Sequence, residues 1–299
     1  MTQIAMQERS RAAAMPGHVQ RHAGTRRTLH CCIVAEGRYL EHAQPAGVLR
    51  ALQARGARVT LLDPAEHALA LADRAWLQGI DIVLARGRST EVLARLAAAE
   101  AAGVPTVNAR AAIAAVHDKG HMGLRLQAAG IPVPATWIGS IEQLRRRLPP
   151  SAFPLVLKPV FGDNCRGIRV VDSAAQLAAL PCEPQALIGQ ALVPNAGYDT
   201  KLYGIGQQVW AVRKASPLHA GAGGAATLLP LRPGWRELAL RCGAAFGLEL
   251  FGVDCIEQDG ELQVIEVNDF PNYSGVPGAH ELLAGHVESV IRQCEGTRP

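Results

Sequence analysis

Two acids and an amide lie in neighbouring apolar segments near the end of the chain. Asp254 lies within the run Gly-Val-Asp-Cys-Ile, and Glu266 and Asn268 lie within Val-Ile-Glu-Val-Asn. A carboxylate buried without a partner is costly, so each acid needs a counter-charge. Carboxylate and amide oxygens are ligands that Mg²⁺ takes up jointly with phosphates. The pattern therefore predicts a magnesium site, and the alternative is two surface acids on an edge hairpin.

The two segments form a predicted hairpin around Asp259-Gly260, because Asp-Gly is a strong signal for a tight turn. A strict two-residue turn would pair Asp254 with Ile265. We therefore predict a three-residue or bulged turn, which pairs Asp254 with Glu266 and brings the acids together.

A lysine and a glycine-containing loop follow another apolar segment. Lys158 ends the predicted strand at 153–160, where a nucleotide phosphate would be a suitable counter-ion. The loop after it comprises Gly162, Asp163, Asn164, Cys165, Arg166 and Gly167. Such a loop can present backbone N–H groups to phosphates. It matches neither a Walker A loop nor GxGxxG, and taken alone it also fits an ordinary hairpin turn.

Other polar pairs are less specific. Lys119 follows Asp118 near the start of a predicted helix, where a solvated ion pair is the ordinary interpretation. His117 and His121 have the helical spacing of zinc ligands, but no HExxH pattern accompanies them, so zinc is not predicted.

The elements that must position these residues change in character along the chain. Up to residue 115, strands and helices alternate, which predicts a parallel sheet flanked by helices. The strands are expected at 29–35, 58–62, 80–84 and 104–107, and the helices at 44–55, 66–77 and 89–103.

The remainder predicts an antiparallel α+β arrangement, because several strands follow one another with few helices between them. Helices are expected at 117–129, 141–148, 174–180, 235–246 and 280–292, and strands at 153–160, 167–171, 185–190, 207–213, 250–257 and 261–267.

Composition narrows the function class. The 299 residues are enough for two or three packed units. The net charge of +4 is concentrated in residues 1–30, and aromatic residues make up only 4%, so no nucleic-acid-binding face is predicted. No apolar run reaches the roughly 20 residues of a membrane helix. Residues 1–27 are expected to form a disordered leader, with a transit peptide as the alternative. Seven cysteines without a CxxC motif indicate a reducing, cytoplasmic setting.

Taken in order, the motifs resemble the ATP-grasp superfamily, and most closely its RimK-like α-L-glutamate ligase branch. The resemblance runs from residue 118 to 277. It rests on Asp118-Lys119, residues 130–134, residues 157–159, residues 162–167, residues 190–193, residues 199–201, residues 252–254 and residues 266–268. It implies an ATP-grasp fold of mixed α/β and α+β class. An N-terminal parallel α/β domain (28–115) would precede a central α+β subdomain (116–192) and a C-terminal antiparallel subdomain with the metal site (193–299).

The resemblance also implies roles. Lys119 and Lys158 would hold the phosphates of ATP, and the loop with Gly162, Asp163, Asn164 and Gly167 would close over them. Adenine would be read through the backbone of Gln190, Ala191, Leu192 and Val193.

The metal and the remaining polar residues follow from the same resemblance. Asp199 and Lys201 would belong to the nucleotide site, near the ribose. Asp254, Glu266 and Asn268 would bind one or two Mg²⁺ ions, with Mn²⁺ as an alternative metal. Arg213 or Lys214 would face the γ-phosphate or an acyl phosphate.

The implied reaction joins a small-molecule carboxylate to an amine through an acylphosphate and releases ADP and phosphate. Neither a nucleic acid nor a membrane is an expected partner, and a homo-oligomer is left open. The chain departs from the family pattern at Ala191, at Lys201 and at Asp269 after Asn268. An ammonium such as Lys201 cannot grip a carboxylate in two-pronged fashion as a guanidinium can. Glutamate is therefore not assigned as the substrate.

Two alternatives remain at this stage. An ATP-grasp kinase resembling the inositol polyphosphate kinases would need a dense basic acceptor pocket, for which few cations are available. A nucleotide-binding protein without turnover is disfavoured, because Lys119 and Lys158 are intact. The three predicted metal ligands, called the metal trio below, are also intact; they are Asp254, Glu266 and Asn268.

Overall fold

The computed structural model describes residues 27–162, 166–218 and 224–296, so residues 1–26 of the expected leader lie outside the described residues. The first unit is a four-stranded parallel sheet in the order β2-β1-β3-β4. Its strands are β1 (His30–Ala35), β2 (Arg58–Leu62), β3 (Ile82–Arg86) and β4 (Thr106–Val107), and its helices are α1 (Ala43–Ala54) and α2 (Thr90–Ala101). The predicted parallel sheet flanked by helices is confirmed.

The helix predicted over residues 66–77 is wrong, because only the 3₁₀ turn Ala75–Leu77 forms there. Leu71 is 76% exposed, and only Trp76 and Leu77 at the end of the stretch pack in the core. The residues before them lack the burial on which short helices depend. The carbonyl of His67 instead accepts a hydrogen bond from the Arg95 guanidinium of helix α2.

Two helices, rather than the single predicted one, lead into the next unit. They are α3 (Arg110–His117) and α4 (Lys119–Ala128). The chain is extended at Asp118 (φ −83°, ψ 104°), and its side chain accepts hydrogen bonds from the N–H groups of Gly120 and His121. Asp118 is therefore the N-cap of α4, and it makes Lys119 the first residue of that helix.

The central unit is a four-stranded antiparallel sheet in the order β5-β8-β6-β7. Its strands are β5 (Thr136–Gly139), β6 (Leu155–Pro159), β7 (Arg169–Val171) and β8 (Leu187–Ala191), with helices α5 (Ile141–Arg147) and α6 (Ala174–Ala179). Leu155 and Leu157 pack in one core cluster with residues of α5 and α6. Because side chains alternate along a strand, Val156 and Lys158 project from the opposite face.

The third unit is a five-stranded antiparallel sheet in the order β11-β10-β9-β12-β13. Its strands are β9 (Tyr198–Ile205), β10 (Gln208–Ala215), β11 (Thr227–Leu229), β12 (Leu250–Gln258) and β13 (Glu261–Asp269), with helices α7 (Pro233–Phe246) and α8 (Ala279–Gly296). Helix α7 packs against one face of the sheet. Helix α8 joins α1 of the first unit, where Leu283 and Val287 share a core with Val48 and Leu52. None of the described helices meets the length and hydropathy of a membrane span.

Phe251 of β12 fills a space that two glycines leave open. A Cβ atom built on Gly204 would lie 2.1 Å from the Phe251 ring, and one on Gly243 would lie 2.6 Å from it. The close approach of β9, α7 and β12 therefore depends on the absence of side chains at these positions.

We expect Gly204→Ala to lower the free energy of unfolding by about 1–3 kcal/mol, because the buried ring cannot move away without strain. Urea denaturation measures this change. Gly234→Ala is the control, since a Cβ there meets nothing within 4 Å in the first turn of α7, and it should be neutral or stabilising by up to about 1 kcal/mol. Equal effects of the two substitutions would contradict the packing argument.

Candidate active site

The hairpin of β12 and β13 carries the acids, and its register decides where they point. Asp259 and Gly260 both have positive φ (53° and 84°), as in the tight two-residue turn that Asp-Gly favours. Pairing is regular from the turn to Cys255↔Val264 and then jumps to Asp254↔Glu266. The predicted pairing of Asp254 with Glu266 is confirmed. Its predicted cause is wrong, because the extra residue is Ile265 in a β-bulge rather than a residue of the turn.

The bulge resets the alternation of β13. Val264 and Val267 are both buried in the core with α7, although a regular strand would send them to opposite faces. Inserting Ile265 moves Glu266 to the face that Asp254 occupies. A bulge is thus the local feature that lets β13 bury two valines and still present its acid.

Two lysines balance the carboxylates. Lys201 Nζ donates to Asp254 Oδ1 at 2.7 Å, and Lys119 Nζ lies 3.4 Å from Glu266 Oε1. Burial alone would lower the pKa of Lys201, but the Asp254 carboxylate outweighs it, so the pKa lies above its usual value. Lys201 is therefore a permanent cation beside Asp254.

The third predicted ligand lies beside Asp254. Asn268 Nδ2 donates to Asp254 Oδ2 at 3.4 Å. Within the described part of the chain, no group of three or more Asp, Glu, His or Cys side chains could hold a metal by itself. Two carboxylates and an amide oxygen do fit Mg²⁺ when substrate phosphates complete the coordination.

The two predicted phosphate lysines are buried side chains, with exposed fractions of 5% for Lys119 and 4% for Lys158. Lys119 Nζ donates to the carbonyl of Gly162 at 2.7 Å. Lys158 Nζ donates to Gln190 Oε1 at 3.0 Å and to the carbonyl of Ile265 at 3.4 Å. Strand β6, helix α4 and the bulge therefore bring both ammonium groups to the side of the metal trio.

The described part of the predicted phosphate loop begins and ends at glycines. Gly167 has φ 76°, and a Cβ there would lie 3.0 Å from Pro159, so a side chain would be strained. Asp163 and Asn164 lie outside the described residues.

A cleft between the central and third units is lined by several of the predicted nucleotide and metal residues. Its described lining encloses about 100 Å³ and includes Lys158, Leu192, Val193, Asp199 and Glu266. This volume is below the roughly 300–1,000 Å³ of typical ligand pockets. Between the described residues, the cleft is therefore narrower than a site occupied by a nucleotide would be.

A second cavity of about 370 Å³ lies between α4 and β5. Lys158, Gln190 and Ile265 line both cavities. The larger cavity lacks Asp254 and Glu266 among its lining residues, so the smaller cleft is the one adjoining the metal trio.

The end of β8 supplies the predicted adenine strand. The N–H of Ala191 donates to Ala135 and that of Leu192 donates to Pro154, each at 2.9 Å. Gln190 Nε2 donates to Thr136 Oγ1 at 3.2 Å. These two backbone N–H groups are thus engaged within the central unit.

The structure separates the two candidate catalytic cations. Lys214 pairs with Asp199 across β9 and β10, so it shares the face of Lys201. Arg213 projects from the opposite face, where its guanidinium lies 5.8 Å from the centre of the Tyr198 ring. Of the two residues expected to face the γ-phosphate or an acyl phosphate, Lys214 is therefore the candidate that remains.

Sequence reasoning missed two arginines. Arg86 ends β3 and Arg88 follows it, at the carboxyl edge of the parallel sheet. Arg88 Nε donates to Asp269 Oδ1 at 2.8 Å, and Nη2 donates to Asn268 Oδ1 at 3.0 Å. The signal was available, since ligand-contacting residues often follow the carboxyl ends of parallel strands.

The buried thiols do not supply a nucleophile. Burial raises the pKa of Cys32 to about 11 and that of Cys242 to about 12. These groups remain protonated near neutral pH, so they act as small packing side chains.

Comparison with known proteins gives a consistent group of relatives. A family model described as the RimK-like ATP-grasp domain matches residues 117–281, and one described as the LysX preATP-grasp domain matches residues 47–116. A probable alpha-L-glutamate ligase of Stenotrophomonas maltophilia is 28% identical over 264 residues, which cover 78% of this chain and 88% of the relative. A probable alpha-L-glutamate ligase 1 of Shewanella amazonensis is 28% identical over 220 residues, covering 67% and 71%.

Solved structures share the fold. The RimK-domain ATP-grasp protein of Sphaerobacter thermophilus superposes with a TM-score of 0.69 at 22% identity, covering 87% of this chain and 98% of that one. The D-alanine–D-alanine ligase of Bacillus anthracis gives 0.64 at 15% identity, covering 91% and 100%. The predicted mixed α/β fold with antiparallel sheets is thereby confirmed.

We expect Glu266→Gln to lower kcat at least about 100-fold while the protein stays folded, because the lost carboxylate is a predicted metal ligand and Lys119 retains the Gly162 carbonyl. In thermal unfolding, Mg²⁺ with ADP should raise the Tm of the wild type but not of the variant. Glu261→Gln, at the exposed start of β13, is the control and should behave as wild type. A fully active Glu266→Gln enzyme would refute the site.

Proposed function

Because this chain belongs to the RimK-like ATP-grasp family, we propose that it is an ATP- and Mg²⁺-dependent ligase that joins a carboxylate to an amine. The observation that carries the proposal is the convergence of Asp254, Glu266 and Asn268 with two buried lysines beside one cleft. Anionic oxygens facing buried ammonium groups suit a metal–nucleotide complex.

The roles follow from charge. Lys119 and Lys158 hold the phosphates, exchanging the carbonyl and amide oxygens they contact now for phosphate oxygens. Lys214, on the face of Lys201, neutralises charge on the transferred phosphoryl group. Asp254, Glu266 and Asn268 would hold Mg²⁺, which when bound would supply Lewis-acid stabilisation of that charge.

Recognition of adenine falls to the end of β8. Since the N–H groups of Ala191 and Leu192 are engaged within the central unit, we assign the remaining backbone contacts there and the Val193 side chain to the base. Asp199 is assigned to the ribose side of the cleft.

The reaction needs no nucleophilic side chain. A substrate carboxylate attacks the γ-phosphorus and ADP leaves, which forms an acylphosphate. The amine then attacks the acyl carbon, phosphate leaves and the amide forms. Closure of the cleft would keep water from the acylphosphate.

Several finer points belong to the same proposal. The site takes one or two Mg²⁺ ions or Mn²⁺, and a homo-oligomer remains compatible with it. A cytoplasmic setting is part of the same proposal. The substrates are small molecules or peptides with a free carboxylate. Glutamate is not assigned, because Lys201 and Asp269 depart from the family pattern.

The test is release of ADP and phosphate from Mg-ATP across a pool of amino acids and carboxylic acids, with and without hydroxylamine. We expect acid-dependent release of ADP and, with hydroxylamine, a hydroxamate that identifies the acid. ADP release without phosphate or hydroxamate would indicate a kinase. Nucleotide binding without turnover across an exhaustive pool would favour the non-catalytic alternative.

A further inference from the structure

A cation of the N-terminal unit contacts the metal trio. Arg88 is 8% exposed and reaches across to β13, where it contacts Asp269 at 2.8 Å and Asn268 at 3.0 Å. Asp269 is 1% exposed. A buried arginine and a buried aspartate thus meet at the end of the strand that carries Glu266 and Asn268.

The contact determines the orientation of the Asn268 amide. A guanidinium only donates hydrogen bonds and a carboxylate only accepts them. The oxygen of Asn268 therefore faces Arg88, and its nitrogen faces Asp254. A carbonyl oxygen has two lone pairs, so one pair of Oδ1 remains for a metal ion.

A guanidinium beside a metal ligand would by itself repel Mg²⁺. The Asp269 carboxylate offsets this charge, because it lies closer to Arg88 than Asn268 does and makes the Arg88–Asp269 pair neutral. What remains at Asn268 is a fixed hydrogen-bond donor, and such outer partners orient metal ligands.

The backbone of Arg88 is held as well. Glu36 Oε1 accepts from the N–H of Arg88 at 2.5 Å and from that of Ser89 at 2.9 Å. Glu36 follows β1, so the two central strands of the parallel sheet jointly fix the residue that reaches the trio. A supported donor of this kind can hold a ligand to the precision that a metal site needs.

We propose that Arg88 is a positioning residue of the magnesium site, which holds the oxygen of Asn268 from the N-terminal unit while Asp269 neutralises its charge. The proposal rests on the metal site of the proposed function. It assigns that unit a direct part in metal affinity.

The experiment measures Mn²⁺ binding to the full chain in the presence of ADP, with free Mn²⁺ followed by electron paramagnetic resonance. The test variant is the double substitution Arg88→Met with Asp269→Leu, which removes both buried charges together. We expect its Mn²⁺ affinity to fall about 10–100-fold, with metal-free ADP binding unchanged.

Arg86→Met is the matched control. Arg86 stands on the same strand end and contacts the carbonyl of Phe270 and the side chain of Asn272, neither of which belongs to the trio. Its Mn²⁺ affinity should equal that of the wild type. If the double variant does not fold, Asp269→Asn serves instead, since it leaves Arg88 charged beside Asn268 and should also weaken Mn²⁺ binding.

A second comparison separates positioning from general loosening. In an Asn268→Ser background, the Arg88 and Asp269 substitutions should weaken Mn²⁺ binding no further, because the group that Arg88 holds is gone. A further loss there, or an unchanged affinity of the double variant, would overturn the proposal. Failure of the wild type to bind Mn²⁺ would instead overturn the metal site itself, and the inference with it.

Discussion

The bulge at Ile265 is the constraint on which the site depends. Strand β13 must bury Val264 and Val267 against α7 and also present Glu266 beside Asp254. A regular strand cannot do both, because its side chains alternate strictly. One extra residue resolves the conflict and also aims the carbonyl of Ile265 at Lys158. The same irregularity thus positions Glu266 and contacts Lys158, one of the two predicted phosphate lysines.

Charge compensation is the second organising feature. Each acid of the trio already faces an ammonium group, Asp254 through Lys201 and Glu266 through Lys119. These pairs lower the cost of keeping carboxylates in a partly buried cleft before any ligand arrives. A metal–nucleotide complex would bring both positive and negative charge, so it can exchange partners with these pairs without leaving one buried charge alone.

The three units are connected by contacts far apart in sequence. Helix α8 follows strand β13 in sequence but packs on α1, and Arg55 at the end of α1 pairs with Glu281 and Glu288 of α8. Arg88 makes the corresponding connection in the other direction, from the first sheet to Asn268. The N-terminal unit therefore helps to hold strand β13, which carries Glu266 and Asn268.

Much of this architecture could be predicted from local pattern. The order of the units and the parallel and antiparallel sheets follow from strand periodicity and turn signals. The need of buried acids for partners predicted the pairing of Asp254 with Glu266, although not the strand bulge that produces it. The same reasoning singled out Lys158, because it is a charge at the end of an apolar segment, whereas Lys119 was indicated only by the family resemblance. These features depend on residues close in sequence, so the sequence alone determines them.

Tertiary structure decided the rest. The helix expected at 66–77 does not form, because Leu71 remains exposed instead of packing in a core. The extra residue of β13 is Ile265, because Val264 and Val267 on either side of the bulge must both be buried against α7. Lys214 rather than Arg213 shares the sheet face of Lys201, because the pairing of β10 with β9 determines the face to which each side chain points. Arg88, which follows a strand of the parallel sheet, contacts Asn268 in the five-stranded sheet. Each outcome depends on groups that are distant along the chain, and a local pattern carries no information about which distant surface will be there to meet it.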